Sequence, residues 1–379
     1  MKYIGFYSNE SVKKMNLDVP LAAKTKMSYI ARIIEEELGS CEIISSAPTA
    51  EKRGWFNRRT VSAGRRSTLE VMATFGCGSP ILKKVQIIFS QFGLLLCLLR
   101  NTRKNENVLV YHSLYLMIPV WIAMKLKKFN LILEMEELYS DVLEKQGFIR
   151  TLELKYCRLG KAYLFPTAYL KKSIGMDSAS CAVIHGTYQI PQKQTQLFED
   201  GKIHLVYAGT LDPRKGCMLA AKAASYLPCG YHIHILGFGT DQEKKNMKSV
   251  IDSINMSDRA SVSYDGVKTG QQYTAFIQSC SIGLCTQIPE ASFSDTSFPS
   301  KILSYICNGL RVVSIRIPTV EKSAVGDLVY FYDEPDAEKI ADTVLGIHLE
   351  QEYDGIDRIK KLDQSFRREI KALCKRCSS

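Results

Sequence analysis

Along the chain, short apolar runs alternate with longer stretches whose apolar positions recur every three or four residues, the pattern of strands followed by helices. In the first half the strand-like runs are KYIGFYS at 2–8, CEIISSA at 41–47, NVLVYHS at 107–113, NLILEME at 130–136, YLFP at 163–166 and CAVIHGTY at 181–188. Helical periodicity falls between them at 26–38, at 85–99 and through Trp121. A polar, aperiodic stretch, QIPQKQTQLFEDG at 189–201, then interrupts the pattern and predicts a linker. A second alternation follows: strands at 202–210, 231–239, 260–267, 281–287, 311–317 and 328–332, with helices at 218–226, 247–254, through Phe276 and at 301–308. Two α/β domains, each a doubly wound parallel sheet, are expected at 1–188 and 202–350. The basic, helical stretch 351–379 is expected to cross back to the first domain.

Composition changes this picture little. Of 379 residues, 46% are hydrophobic and 23% charged, the balance of a water-soluble globular protein. The length suits two domains of roughly 150 to 190 residues. No apolar h-region of a secretory signal follows Met1, so a cytoplasmic protein is expected. The stretch 85–99 is interrupted by Gln86, Ser90 and Gln91 and falls short of the ~20 residues that span a bilayer, which predicts a buried or interfacial helix. Twelve cysteines, most inside apolar segments, read as reduced thiols. Cys374 and Cys377 have CxxC spacing but no second pair and no nearby His, so no metal is expected. A net charge of +11 implies polyanionic company: nucleic acid, an anionic membrane or phosphorylated small molecules.

In open α/β sheets ligands lie beyond the carboxyl ends of the strands. Four such loops in the second half carry candidate chemistry. Gly209-Thr210-Leu211-Asp212-Pro213-Arg214-Lys215-Gly216 sets two adjacent cations in a glycine-bounded turn, which suits a diphosphate, although a solvated turn has the same composition. Gly237-Phe238-Gly239 invites a dinucleotide reading, but Gln242 stands where that fingerprint has its third glycine. Asp265-Gly266-Val267 is either an ordinary turn or a backbone approach to a flat ligand. In Ser294-Asp295-Thr296-Ser297-Phe298-Pro299-Ser300-Lys301, small hydroxyl residues and a proline lead into a helix, and Lys301 sits in its first turn against the macrodipole. A cation placed there implies an anionic ligand.

Together, from about 203 to 347, these loops resemble the donor domain of GT-B glycosyltransferases, in particular the retaining group of bacterial polysaccharide and glycolipid assembly. The family's YxGxL…KG loop is similar to Tyr207, Gly209, Leu211, Lys215 and Gly216, its GxG to Gly237 and Gly239, and its FxG base contact to Tyr264 through Val267. Its FPSKxxEYxxxGxPVV stretch resembles FPSKILSYICNGLRVVS. The resemblance implies two Rossmann-like domains facing a central cleft and a nucleotide-sugar donor, UDP- or GDP-linked, with no metal and no other cofactor. Lys215 would neutralise the departing diphosphate, helped by Arg214 or Lys301. Phe298, Pro299 and Ser300 would line the phosphates. Two departures stand out: Thr210 replaces the family's arginine, and Ser304 its ribose-binding glutamate, whose partner position falls near Thr296. A GT-B subunit without activity that binds another glycosyltransferase therefore stays in play beside the enzyme.

The first half carries fewer signals. Glu136, after the strand at 130–136, is the candidate for acceptor contact, against a plain acidic helix start. His112 and His185 end strands and read either as site residues or as structural ones. The segment KRGWFNRRTVSAGRR at 52–66 holds six cations, no acid, and Trp55 and Phe56 among them. It suits an anionic membrane face presenting a lipid-linked or glycan acceptor, or is a solvated loop, and it follows no nucleic-acid-binding motif.

Overall fold

The computed structural model describes residues 1–142, 147–195, 198–287 and 298–378. They divide into two compact units: Met1–Thr187 with Gln364–Ser379, and Tyr188–Asp363.

Unit 1 runs β1 Lys2–Gly5, α1 Leu21–Leu38, β2 Glu42–Ser45, β3 Trp55–Phe56, β4 Arg59–Ser62, β5 Thr68–Val71, β6 Thr74–Phe75, α2 Pro80–Asn101, β7 Asn107–Tyr111, α3 Leu114–Lys127, β8 Asn130–Glu134, α4 Tyr139–Val142, α5 Phe148–Cys157, β9 Ala162–Phe165, α6 Ala168–Ser173 and β10 Cys181–Val183. Its main sheet has the order β10-β9-β8-β7-β1-β2-β5-β4, parallel except for the edge strand β4, which runs antiparallel to β5. The central strands are buried on both faces, which is why they read as unbroken apolar runs. Strand β4 arises inside the basic segment read as a loop. As an edge strand with mostly exposed side chains it has no apolar alternation to betray it. Helix α2 is longer than its apolar stretch: Ser79 caps it, Pro80 opens it, and Lys83 and Lys84 ride within it.

Polar groups are also buried in this sheet. Tyr3 on β1 donates its hydroxyl to the carboxylate of Glu134 at the end of β8. Burial, then the nearby Glu136, pushes the Glu134 carboxyl up to about 8. The unfolded chain ionises near 4.3, so folding pays an increasing penalty as pH rises from there to 8. Wild-type melting temperature is expected to fall between pH 5 and pH 8. Glu134→Gln, which keeps an acceptor for Tyr3, should flatten that fall by at least about 1 kcal/mol of stability at pH 8. An equal fall in both proteins by thermal denaturation would rule this out.

Unit 2 runs β11 Ile203–Thr210, α7 Cys217–Lys222, β12 Tyr231–Phe238, α8 Asp241–Ile254, β13 Ser261–Gly266, α9 Gly270–Gln278, β14 Ile282–Cys285, α10 Ser300–Cys307, β15 Arg311–Ile315, α11 Pro318–Glu321, β16 Val329–Tyr332 and α12 Ala337–Leu345. Its sheet is wholly parallel, in the order β13-β12-β11-β14-β15-β16. Chain direction across the sheet reverses between β11 and β14, so the loops after these two strands flank the switch point where such sheets bind nucleotides. Part of the linker is tied to this unit. Gln194 donates its backbone N–H to Gln278 (2.8 Å), and Phe198 stacks on His204 and His234 at 4.0 and 4.7 Å between ring centroids.

The last helix, α13 Gly355–Ser378, begins in unit 2, where Arg358 pairs with Asp327 at 2.8 Å. Further along, Phe366 stacks on Tyr29 of α1 and Arg367 pairs with Glu36 at 2.5 Å, both in unit 1. All twelve cysteines are free thiols, and Cys374 and Cys377 are buried on α13.

Candidate functional site

At the switch point of unit 2, helix α10 lies flat on the sheet because the strands beneath it give way. Lys301 and Tyr305, one turn apart, project from the same face of the helix. A side chain at Gly209 of β11 would meet the Lys301 ammonium at 2.5 Å, and one at Gly283 of β14 would strike the Tyr305 ring at 2.3 Å. Both glycines are therefore places where a side chain from α10 rests on backbone. The Tyr305 hydroxyl accepts the Ala208 N–H at 2.9 Å and locks this arrangement.

Lys301 is thus held with its Nζ 3.8 Å from the centre of the Tyr207 ring, a cation–π contact. No carboxylate among the described residues pairs with it. Burial lowers its ammonium to about 8, and the charge of Lys215 adds to the fall. The site holds two lysines that repel one another, one of them desolvated, a combination that an anion relieves.

The loop after β11 brings Lys215 to this place. The Tyr207 hydroxyl lies 2.9 Å from the Thr210 carbonyl and 3.2 Å from that of Lys215, bracing both ends of the turn. Gly216, at φ +77°, closes the turn directly against the loop after β14. A side chain there would sit 1.7 Å from the Thr286 carbonyl, and the Thr286 hydroxyl donates to the Gly216 carbonyl at 2.7 Å. Arg214 is otherwise engaged: Asp212 takes its backbone N–H at 2.9 Å and its guanidinium at 2.8 Å. Of the two cations in the loop, Lys215 is the one without a carboxylate partner among the described residues.

The remaining candidates are arranged around this pair. Thr210 ends β11 and lends its carbonyl to Tyr207. Gly237 is the register partner of Gly209, so close that a side chain would meet the Gly209 carbonyl at 1.5 Å. Gly239 packs under Leu211. Helix α8 starts with a capping box in which Thr240 and Glu243 satisfy each other's backbone N–H groups. Those donors are already used, which argues physically against a phosphate on this loop. Gly266, at φ +68°, ends β13 with open space beside it, Val267 is 60% exposed, and Tyr264 donates to the Gly237 carbonyl at 2.8 Å. Phe298 is buried, Pro299 caps α10 and Ser300 opens it. The Ser304 hydroxyl lies 3.3 Å from that of Tyr273. Thr296 and residues 289–295 lie outside the described residues. Thr286, Tyr273 and Tyr305 were not among the candidates. Tyr305 lies within FPSKILSYICNGLRVVS, but nothing in the order of residues tells that its hydroxyl reaches β11.

In unit 1, Glu136 forms an ion pair at 2.5 Å with Lys26 of α1, whose ammonium also donates to the Ile184 carbonyl at 3.2 Å. His112 is fully buried with its Nε2 2.7 Å from Glu153. Burial opposes ionisation of Glu153, but hydrogen bonds from His112 and Ser140 outweigh it and hold the carboxyl below the usual range. His112 thereby serves the packing of α5 against β7. The His185 Nδ1 lies 2.7 Å from the Pro166 carbonyl.

No family profile matches the sequence, and neither does any curated protein. Solved structures do match it along nearly its whole length. One is an α,α-trehalose-6-phosphate synthase from Burkholderia multivorans (TM-score 0.65, 10% identity, 99% of this chain and 98% of that one). Another is HepE from Anabaena in complex with UDP (TM-score 0.62, 11% identity, 99% and 98%). A third is the catalytic domain of starch synthase IV from Arabidopsis thaliana bound to ADP and acarbose (TM-score 0.67, 9% identity, 100% and 99%). These are GT-B glycosyltransferases. At such identities the likeness shows the fold, and the fold of this chain is GT-B.

Proposed function

We propose that this GT-B chain is a glycosyltransferase that moves a sugar from a UDP- or GDP-linked donor to a glycan or lipid-linked acceptor at the cytosolic membrane face, with retention at the anomeric carbon and without a metal. The observation that carries the reading is the desolvated Lys301 beside Lys215 at the switch point, two cations of which neither forms an ion pair with a carboxylate among the described residues. As the bond from sugar to phosphate breaks, negative charge grows on the departing diphosphate, and fixed cations in a poorly hydrated site stabilise that charge. Lys301 and Lys215 are the catalytic candidates in this sense. Tyr207 is a positioning residue that holds the loop and the lysine in register. Glu136, fixed by Lys26, is the candidate for acceptor contact. The nucleotides named for HepE and the starch synthase, UDP and ADP, fit a nucleoside-diphosphate site of this kind.

Titration calorimetry with UDP and GDP, and radiolabelled UDP- and GDP-sugars incubated with membrane lipid extract, test the proposal. Binding of one nucleotide and transfer or hydrolysis of its sugar are expected; no binding and no turnover with any donor would sink it. One specific observation favours the alternative of a GT-B subunit without activity: Ser304, at the position of the family's ribose glutamate, lies within hydrogen-bond distance of Tyr273. Nucleotide binding with no turnover of any sugar would select that alternative.

The binding reaction carries a pH signature. Lys301 titrates near 8 in the free protein, and a bound diphosphate favours its charged form and raises that value. Affinity should therefore weaken as pH rises from 7 to 9, by up to roughly tenfold, and binding near pH 8 should take up protons. Calorimetry in buffers of different ionisation enthalpy reads that uptake directly. Proton release, or an affinity indifferent to pH, would contradict it.

A further inference from the structure

We propose that the outer faces of α2 and α3 seat unit 1 on a membrane surface rich in anionic lipid. The proposal rests on the reading above that the acceptor is met at a membrane, and it adds the surface that meets it.

Helix α2 is apolar on two opposite sides. Leu94, Cys97 and Leu98 enter the core, while Ile81, Val85, Ile88, Phe92 and Leu96 form a stripe on the far side with 36 to 75% of their surface exposed. Their spacings of four, three, four and four residues keep them on one face. Helix α3 repeats the arrangement: Leu116, Met117 and Val120 face in, and Ile118, Ile122 and Leu126 face out at 42 to 65%. The two helices pack side by side and share one core, so both outer stripes point away from the sheet. Trp55, 58% exposed, stacks on Phe75 and stands edge-on to Phe89 of α2 at 5.4 Å. The basic segment with embedded aromatics thus borders the same surface.

Two exposed apolar stripes on adjacent helices call for an occupant, and the charges beside them choose one. Helices α2 and α3 contain no acidic residue, yet carry Lys84, Arg100 and Lys125, and Lys52 and Arg53 precede Trp55, while Lys83 lies on the inner side and pairs with Asp18 at 3.6 Å. A second copy docked here would set these cations against themselves, whereas anionic headgroups neutralise them as the apolar stripe enters the acyl boundary. By length and composition α2 is also able to cross a bilayer. Its inner face argues that it lies on the membrane instead: the buried Gln86 amide donates to the carbonyls of Thr49 (3.1 Å) and Phe75 (2.5 Å), and crossing would tear Leu94, Cys97 and Leu98 from the core.

The test uses the full chain and the double variant Ile88→Asp with Phe92→Asp. Both positions are largely exposed, so the variant should keep its circular dichroism and its nucleotide affinity. In vesicle co-sedimentation the wild type should bind phosphatidylcholine vesicles containing roughly 30% phosphatidylglycerol at least tenfold more tightly than neutral ones, and less tightly in high salt. The double variant should lose at least tenfold of that binding. Absence of vesicle binding, or vesicle binding untouched by the double variant, overturns the proposal. So does a dimer, seen by sedimentation velocity, that the variant dissolves while neither protein binds vesicles. Nucleotide calorimetry on the same samples separates the two readings, because the donor site can fail while the membrane surface stands, and the reverse.

Discussion

Lys301→Met should lower sugar transfer, or donor hydrolysis, by roughly a hundred- to a thousandfold and at the same time make the free protein more stable. The first half follows from the proposed role: the ammonium held over Tyr207 and against Gly209 is lost where charge develops on the leaving group. The second follows from the sign of its titration. The folded-state value is about 8, below the ~10.4 of an unfolded lysine. Below pH 8 the folded protein carries the whole penalty of a desolvated ammonium. Between 8 and 10.4 it sheds the proton first, and wild-type stability rises through that window. Methionine keeps the aliphatic bulk and removes the charge, so at pH 7 the variant should gain on the order of 1 kcal/mol. Adding whichever of UDP and GDP binds should raise the melting temperature of the wild type and leave that of the variant unmoved. A variant that is both less stable and still stabilised by that nucleotide would refute the assignment of Lys301.

Gly216→Ala should be the most disruptive single methyl group in unit 2. Its φ of +77° strains any side chain, and the new carbon would stand 1.7 Å from the Thr286 carbonyl, which is backbone and has nowhere to retreat. The loop after β11 would be driven from the loop after β14, at a cost of roughly 3 to 5 kcal/mol, and Lys215 would leave its place. Gly209→Ala makes an instructive comparison. Its carbon would meet the flexible end of Lys301, so the fold should hold and donor binding alone should suffer. Chemical denaturation and nucleotide calorimetry on both variants check the contrast. Equal stability losses would mean that the end of Lys301 cannot give way at Gly209, and an unchanged nucleotide affinity in Gly209→Ala would mean that Lys301 does not hold the donor.

The parallel strands were legible because burial on both faces makes them unbroken apolar runs, as in Val108 to Val110 and Leu205 to Tyr207. Strands β3, β4 and β6 were not, since edge and two-residue strands carry no such run, and neither was the interior parallel strand β5, whose four residues include Thr68 and Glu70. Among site residues, Lys215 and Lys301 stood out by chemistry, a cation in a tight turn and a cation against a helix dipole. Sequence position does not say which neighbour holds which cation, so the helping role that the resemblance gives Arg214 beside Lys215 takes no account of its pairing with Asp212. The supports contributed by Thr286, Tyr273 and Tyr305 depend on distances between segments far apart in the chain. The outer stripe of α2 was hidden for a different reason: a helix apolar on two sides has no polar face to mark which side is the core.

Helix α13 has a consequence for the order in which the protein takes shape during synthesis. Tyr29 waits for Phe366, Glu36 for Arg367, and the Asn107 side chain for the Cys374 carbonyl. Residues 364–378 leave the ribosome after every strand of unit 2. The unit begun first is therefore the last to be completed, and until then α1 presents an unclosed apolar seam to the chaperones of the cell.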